Sequence, residues 1–295
     1  MHKPVLSKEV IENLNPKNGD IILDATVGCG GHAELIMKQL SPHGLLIGID
    51  RDDEALVEAR TKLRSFNSIS CKIVKENFRN LDSVLRKLGI EKVNGVLFDV
   101  GISSLQLDTA YRGFSVHKDG PLDMRMDKTD RLTARDVVNK YPKDRLYEVI
   151  KAFSDERYAR KIASFIVDKR TKKPFETTAE LVATIKRAVG YKYRRLRIHP
   201  ATRTFQAIRI EVNQELSALS EALEKLVTFL ASKARICVIS FHSLEDRIVK
   251  NLFKRYSQDG IFRLINKKPI MAGREEVLEN PRSRSAKMRV AEFLG

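Results

Sequence analysis

The chain has 295 residues, 42% of them apolar, which is enough to form one large or two modest globular domains and excludes a disordered protein. Its 54 Lys and Arg residues exceed its 38 Asp and Glu residues by 16, which points to a polyanionic partner, with nucleic acid favoured over an acidic membrane surface. No apolar run approaches the roughly 20 residues that span a bilayer, and the charged N-terminus lacks a signal-peptide core, so we expect a cytoplasmic protein.

Residues 20 to 99 alternate short apolar runs with helical patterns. Strands are predicted near Ile21 and at Leu45–Asp50, Ile69–Val74 and Gly95–Asp99, with helices from Gly31, at Asp53–Ser65 and at Leu81–Leu88. Because a helix follows each strand, neighbouring strands run parallel and helices cover both faces. The pattern predicts an α/β fold with a mainly parallel, doubly wound sheet.

The pattern changes after Asp99. Residues 106 to 204 carry few strand signals and several amphipathic helical patterns, one of them starting near Asp155. A long helical pattern from Thr204 to about Ser232 leads back to the sheet. Its last elements are a strand at Arg235–Phe241, a helix from Ser243, and strands near Phe262 and at Met288–Phe293. We therefore expect a discontinuous sheet domain, residues 1–105 with 205–295, and an inserted helical substrate-recognition domain at 106–204.

A glycine-rich turn follows the first predicted strand. Gly28 and Gly30 come shortly after Asp24, and Asp50 ends the next strand. Glycines in such a turn let the backbone approach a cofactor, and the second acid can accept hydrogen bonds from both ribose hydroxyls. The spacing fits both NAD and S-adenosylmethionine (SAM), but a carboxylate at Asp24 repels a pyrophosphate and suits a cofactor with an ammonium and a sulfonium. SAM is therefore favoured, and a turn without a ligand is the weakest interpretation.

The fourth predicted strand ends in a second polar segment, Asp99–Gln106, at the same edge of the sheet. Methyl transfer from a sulfonium requires an aligned acceptor lone pair and the exclusion of water. A carboxylate that accepts the N–H bonds of an exocyclic amine localises that lone pair and can later take the proton. Asp99 is the best-placed candidate for this catalytic role. Contact with the cofactor, or a cap on the following turn, are the alternative interpretations.

A basic segment lies between Arg170 and Arg209, where eleven Lys or Arg residues accompany two acids. Tyr191 and Tyr193 alternate with its cations, which fits phosphate contacts combined with stacking on unpaired bases. A second basic cluster precedes the last strand. The candidate RNA-binding residues are Lys192, Arg194, Arg195, Arg197 and Arg203 in the first segment and Arg282 and Arg284 in the second. A solvated charged face is the alternative interpretation of both.

Two further features carry less specific signals. Ser243 with Asp246 predicts an N-terminal cap for the helix after the fifth strand, and His242, at the end of that strand, is a candidate to face the pocket. The three cysteines are odd in number and widely spaced, which argues against a disulfide framework and a structural zinc site. We expect no metal site.

Taken together, these motifs resemble the ribosomal small-subunit RNA methyltransferase H family, also called MraW. The resembling segments span nearly the whole chain in order: Asp24–His32, Asp99–Gln106, Arg112–Ser115, Gly120–Asp127, His199–Ile210, Ser240–Arg247 and Asn280–Lys287. The resemblance implies a Rossmann-like SAM-dependent methyltransferase sheet with an inserted small helical domain. It implies methylation of the exocyclic N4 amine of a cytidine in the decoding region of 16S rRNA, with the rRNA or the small ribosomal subunit as partner. It also implies cofactor contacts from Gly30, Gly31, His32, Asp50, Phe78, Asp99 and Gln106.

The sequence differs in two places from the motifs of related methyltransferases, which limits the residue roles that the resemblance implies. Leu105 replaces the Pro that commonly follows the paired serines in the family, and the chain lacks the Asp-Pro-Pro-Tyr type motif of many DNA amino-methyltransferases. The catalytic role of Asp99 is therefore not copied from those enzymes. An NAD-dependent oxidoreductase and a non-catalytic RNA-binding ribosome assembly protein are the alternative functions, and the oligomeric state is not predicted.

Overall fold

The computed structural model of the chain describes residues 3–40, 42–66, 69–190 and 198–295. Contacts divide the chain into two compact units. Met1–Gly101 with Leu216–Gly295 form the first, which we call the sheet unit, and Ile102–Glu215 form the second, the helical unit. Within the described ranges, no helix combines the length and the apolar character needed to cross a membrane.

The sheet unit is built on seven strands in the order β3-β2-β1-β4-β5-β7-β6. The strands are β1 (Ile21–Asp24), β2 (Leu45–Asp50), β3 (Ser70–Lys75), β4 (Val93–Asp99), β5 (Leu230–Ser240), β6 (Phe262–Leu264) and β7 (Lys287–Phe293). Strands β1 to β5 are parallel to one another, whereas β7 runs antiparallel to both β5 and β6. The predicted mainly parallel α/β sheet is confirmed.

Helices cover both faces of this sheet. They are α1 (Ser7–Leu14), α2 (Gly31–Gln39), α3 (Asp53–Leu63), α4 (Leu81–Lys87), α11 (Glu215–Leu226), α12 (Ser243–Gln258) and α13 (Arg274–Glu279). Ile22 and Leu23 are consecutive and fully buried, yet they belong to two separate apolar clusters. Since neighbouring strand residues point to opposite faces, both faces of the sheet are buried there, which explains why β1 and β2 carry no charged residue before their final aspartates.

The helical unit contains six of the described α-helices and its own apolar core. They are α5 (Ser104–Asp108), α6 (Ala134–Lys140), α7 (Lys143–Ser154), α8 (Ala159–Arg170), α9 (Thr178–Val189) and α10 (Thr202–Asn213). The core includes Phe175, Ile162 and Ile208, all fully buried. Polar groups shape the loop before α6: the fully buried Arg112 donates to the carbonyls of Arg125 and Met126 at 3.1 and 2.8 Å.

The long helix predicted from Thr204 to about Ser232 is wrong. Gln214 adopts a left-handed conformation, with φ 50°, and ends α10 before α11 begins. β5 then starts at Leu230, where the sequence pattern still predicted helix. The predicted insert ended at residue 204, whereas α10, which packs on α7, extends the helical unit to Glu215.

Candidate functional site

Three carboxylates end three adjacent parallel strands of the sheet unit. Asp24 ends the central strand β1, Asp50 ends β2 on one side, and Asp99 ends β4 on the other. In the strand register Asp24 pairs with Gly48 and Leu97, so Asp50 and Asp99 each lie two residues farther toward the carboxyl edge. Ligands of open α/β sheets bind at this edge. The sheet therefore gathers the predicted acids into one site.

The glycine turn between β1 and α2 is held by Asp50. The Gly28 N–H donates to Asp50 Oδ2 at 2.9 Å, and the Asp52 N–H donates to Asp50 Oδ1 at 2.9 Å. Burial raises the pKa of Asp50, although these two hydrogen bonds oppose the shift. Gly30 has φ 79°, and a Cβ there would lie 3.3 Å from the Cα of Ala59 on α3. This glycine is thus required by backbone conformation and helix packing.

Asp24 is fully buried and Asp99 is half-buried, and the hydrogen bonding of both acids is incomplete. Asp24 Oδ1 accepts the Thr26 N–H at 3.2 Å, and the Asp99 N–H donates to Thr26 Oγ1 at 2.6 Å. In the described part of the chain, Asp24 Oδ2 and Asp99 Oδ1 are buried without a hydrogen-bond partner. A buried polar atom without a partner is costly, so these two oxygens mark where a cationic or hydrogen-bonding ligand group gains most.

Burial controls the charge of both acids. It raises the pKa of Asp24 to about 7, an effect that the neighbouring His32 opposes. Burial, reinforced by the negative charge of Glu245, raises the pKa of Asp99 to about 7. Both groups therefore change protonation near neutral pH, and a nearby positive charge would favour their ionised forms. The site suits a cation more than an anion.

His32, on the first turn of α2, lies between the N-terminal segment and these acids. Its Nε2 is 2.8 Å from the carbonyl oxygen of Val5, and its Nδ1 is 3.6 Å from Asp99 Oδ2. Burial lowers the pKa of His32. The neutral ring therefore donates from Nε2 to the Val5 carbonyl and presents the Nδ1 lone pair toward Asp99.

Phe78 and Gln106 have local roles in their own units. The chain after β3 stays beside Asp50 through a hydrogen bond from the Glu76 N–H to the Asp50 carbonyl. Phe78 follows in a half-buried 3-10 turn, and its ring meets Phe98 edge to face at a centroid distance of 5.8 Å. In the helical unit, Gln106 forms a capping box with Ser103 at the start of α5.

The cap predicted at Ser243 and Asp246 is wrong. His242 is the N-cap of α12, and its Nδ1 accepts the Glu245 N–H while Glu245 accepts the N–H groups of Phe241 and His242. Asp246 instead pairs with Arg289 at 2.6 Å. Sequence reasoning missed Glu245, which is 2% exposed and acts on Asp99. The sequence pattern that could have predicted Glu245 is that of a capping box, in which an acid follows three residues after a polar residue at a strand-to-helix junction.

The predicted RNA-binding residues divide into three groups. Lys192, Arg194, Arg195 and Arg197 lie outside the described residues. Arg203 is half-buried on α10 in the helical unit. Arg282 and Arg284 lie in the 3-10 turn that precedes β7, and Lys287 of β7 pairs with Ser240 of β5. Because β7 is antiparallel, this second basic cluster reaches the carboxyl edge of the parallel strands, the edge that carries Asp99.

Comparison with known proteins gives one consistent result. The family model described as the MraW methylase family matches residues 1–294. A protein of Sulfurihydrogenibium sp. named ribosomal RNA small subunit methyltransferase H is 50% identical over 289 residues, covering 98% of both chains. A Clostridioides difficile protein of the same name is 47% identical over 306 residues, covering 99% of this chain and 98% of its own. A solved rRNA methylase from Streptococcus thermophilus, covering 100% of this chain and 99% of its own, has a TM-score of 0.46 at 11% identity, which is too distant to support a functional conclusion.

Proposed function

Because the chain belongs to the MraW methylase family, we propose that it methylates the exocyclic N4 amine of a cytidine in the decoding region of 16S rRNA. The enzyme is a SAM-dependent rRNA methyltransferase. We propose three details of its substrate: the target nucleoside, the small-subunit rRNA that contains it, and the assembled subunit as the form that is methylated. A ribosomal substrate would also place the protein in the cytoplasm.

The observation that carries the proposal is the pair of incompletely hydrogen-bonded carboxylates at the sheet edge. SAM carries an ammonium and a sulfonium, and the partnerless oxygens of Asp24 and Asp99 fit such positive groups. Asp50 would bind the ribose hydroxyls with lone pairs that Gly28 and Asp52 do not use. Gly28, Gly30 and Gly31 would shape the turn around the cofactor, Phe78 would supply an apolar face for the adenine, and Gln106 would provide an amide contact.

Asp99 is the residue proposed to act on the nucleotide. When bound, SAM supplies an electrophilic methyl group, so the protein mainly has to align the amine and exclude water. Burial raises the pKa of Asp99 to about 7, which makes its carboxylate a stronger base than an ordinary aspartate and better suited to take the proton of the methylated amine.

Basic residues are proposed to position the rRNA. Arg282 and Arg284 precede β7 at the edge that carries Asp99, so phosphates held there would lie near the transferred methyl group. Lys192, Arg194, Arg195, Arg197 and Arg203 are the further residues proposed to contact RNA phosphates. Interleaved Tyr191 and Tyr193 would stack on bases exposed when the target nucleotide leaves its stack.

The test is transfer of labelled methyl from SAM to small ribosomal subunits that lack the modification, with naked 16S rRNA in parallel and nucleoside mass analysis of the product. We expect label in N4-methylcytidine. Label in another nucleoside would reject the N4 cytidine target but leave the rRNA methyltransferase activity. Binding of SAM with no transfer to either RNA would mean that the methyl acceptor is a different molecule, whereas no binding of SAM would favour the alternative of an RNA-binding assembly protein.

A further inference from the structure

Residues Lys3–Leu6, which we call the N-terminal strap, lie against the start of α2. The Val5 carbonyl accepts a hydrogen bond from His32 Nε2 at 2.8 Å. Pro4 packs on Gly31 so closely that a Cβ on Gly31 would lie 3.3 Å from the Cβ of Pro4. The strap thus contacts two neighbouring residues that the proposed cofactor site uses.

The strap determines which nitrogen of His32 carries the proton. A carbonyl oxygen can only accept, so Val5 requires a hydrogen on Nε2. The neutral ring then leaves a lone pair on Nδ1, which faces Asp99 Oδ2 at 3.6 Å. If the Val5 carbonyl moved away, the ring could rotate or exchange its proton between the two nitrogens. Asp99 would then face a different group.

Residues around α13 hold the strap in place from the other end of the sequence. Glu276 Oε1 accepts the Leu6 N–H at 2.7 Å, and Asn280 Nδ2 donates to the Lys3 carbonyl at 3.2 Å. Glu279 also pairs with Lys3, but both side chains are mostly exposed, so this ion pair contributes little. Glu276 is the better-shielded anchor.

Leu6 explains why an anchor is needed. Its side chain is fully buried and its φ is 51°, in the left-handed region that residues with a Cβ rarely adopt. In this conformation its N–H points to Glu276, while the Val5 carbonyl points to His32. The Glu276 hydrogen bond therefore stabilises a backbone conformation that would otherwise relax and turn the Val5 carbonyl.

We propose that Glu276 is a positioning residue for cofactor binding, acting through the Leu6 N–H and the Val5 carbonyl on the tautomer and orientation of His32. The proposal rests on the proposed function, because it takes His32 as part of the cofactor site. Glu276 itself touches neither cofactor nor RNA in this proposal.

The test compares Glu276→Ala, Glu276→Gln and the neighbouring control Glu275→Ala by calorimetric titration with SAM. Glu276→Ala removes the acceptor, and we expect its Kd to rise about tenfold. Glu276→Gln keeps a side-chain carbonyl that accepts the Leu6 N–H, so its Kd should stay within about threefold of the original. Glu275 is exposed, and its loss should leave the Kd unchanged.

A second measurement separates positioning from general destabilisation. Nitrogen-15 spectra of labelled histidine report the tautomer of each ring, and His32→Gln identifies its signal. We expect protonated Nε2 in the original chain and in Glu276→Gln, and a mixture of tautomers in Glu276→Ala. An unchanged tautomer and Kd in Glu276→Ala would overturn the inference, as would equal losses in Glu276→Ala and Glu276→Gln. Failure of the original chain to bind SAM would instead overturn the proposed function.

Discussion

The two units differ in how their buried charged and amide side chains are hydrogen-bonded. In the helical unit, the buried Arg112 binds two backbone carbonyls, and Asn213 accepts the Met126 N–H and donates to the Met124 carbonyl. In the sheet unit, Asp24 and Asp99 keep buried oxygens without partners among the described residues. The hydrogen bonds in the helical unit fix the conformation of its loop, whereas the partnerless oxygens in the sheet unit are available to bind a ligand. The positive charge is also unequally distributed between the units, because ten of the sixteen excess positive charges lie in residues 102–215.

The largest expected effect comes from Asp99→Asn in the sheet unit. An amide cannot take the proton from the methylated amine, so the rate of methyl transfer should fall about 100-fold or more. The free energy of unfolding should not fall, because burial disfavours the ionised carboxylate. Single-turnover methylation and chemical denaturation measure the two quantities. Asp259→Asn, at an exposed position, is the control, and a normal rate in Asp99→Asn would remove Asp99 from catalysis.

Arg112→Met tests the contribution of a fully hydrogen-bonded buried side chain to the stability of the helical unit. The substitution leaves the carbonyls of Arg125 and Met126 without this donor, and we expect the free energy of unfolding to fall by about 3 kcal/mol. Chemical denaturation checks this, with the exposed Arg131→Met as control. Because the two carbonyls that Arg112 binds lie in the helical unit, SAM affinity below the unfolding transition should stay unchanged. A large loss of affinity at full folding would contradict this separation of roles.

Changing the pH should move stability and affinity in opposite directions. The pKa values of Asp24 and Asp99 are raised from 3.8 to about 7, so the folded chain binds more protons than the unfolded chain between these values. The free energy of unfolding without cofactor should therefore decrease as the pH rises from about 4 to 7. Affinity for SAM should increase about tenfold from pH 6 to pH 8, as the acids ionise.

Titration calorimetry and denaturation at each pH measure the two trends. S-Adenosylhomocysteine, which lacks the sulfonium charge, is the control and should show a weaker pH dependence. Equal pH dependence for both ligands would mean that neither acid senses the sulfonium.

The smallest effect is expected from charge in the basic segment. Replacing Arg194, Arg195 and Arg197 by Gln should make the slope of log affinity for RNA against log salt less steep by about 2. Replacing the exposed Arg64, Lys87 and Lys254 of the sheet unit gives a control of equal net charge. Binding titrations at several salt concentrations measure both slopes. Equal slopes in the two triple variants would assign the segment to solvated surface.

Local patterns in the sequence predicted most of the sheet. Leu45–Asp50 was predicted with the observed bounds because an apolar run ends in an acid and precedes a helical pattern. The break at Gln214 was missed because a left-handed glutamine has no distinctive signal. Helix α1 was missed as well, since Leu6 precedes it in a left-handed conformation without a side-chain cap.

The site could be predicted only as a set of residues. Strand ends located Asp24, Asp50 and Asp99, but their protonation depends on burial, which no local pattern gives. The contacts of His32 with Val5 and of Leu6 with Glu276 join residues 27 and 270 positions apart. Such pairs follow from tertiary packing and cannot be read from spacing.

The position of β5 beside β4 has a consequence for synthesis of the chain. β4 ends at Asp99, but its partner β5 begins at Leu230, after the whole helical unit. A nascent chain therefore carries four parallel strands with an open apolar edge at β4 until residues 230–240 emerge from the ribosome. The helical unit, continuous in sequence, can complete its core before the sheet does. Open edges recruit other strands, so the interval before β5 arrives is when the new chain is most exposed to aggregation.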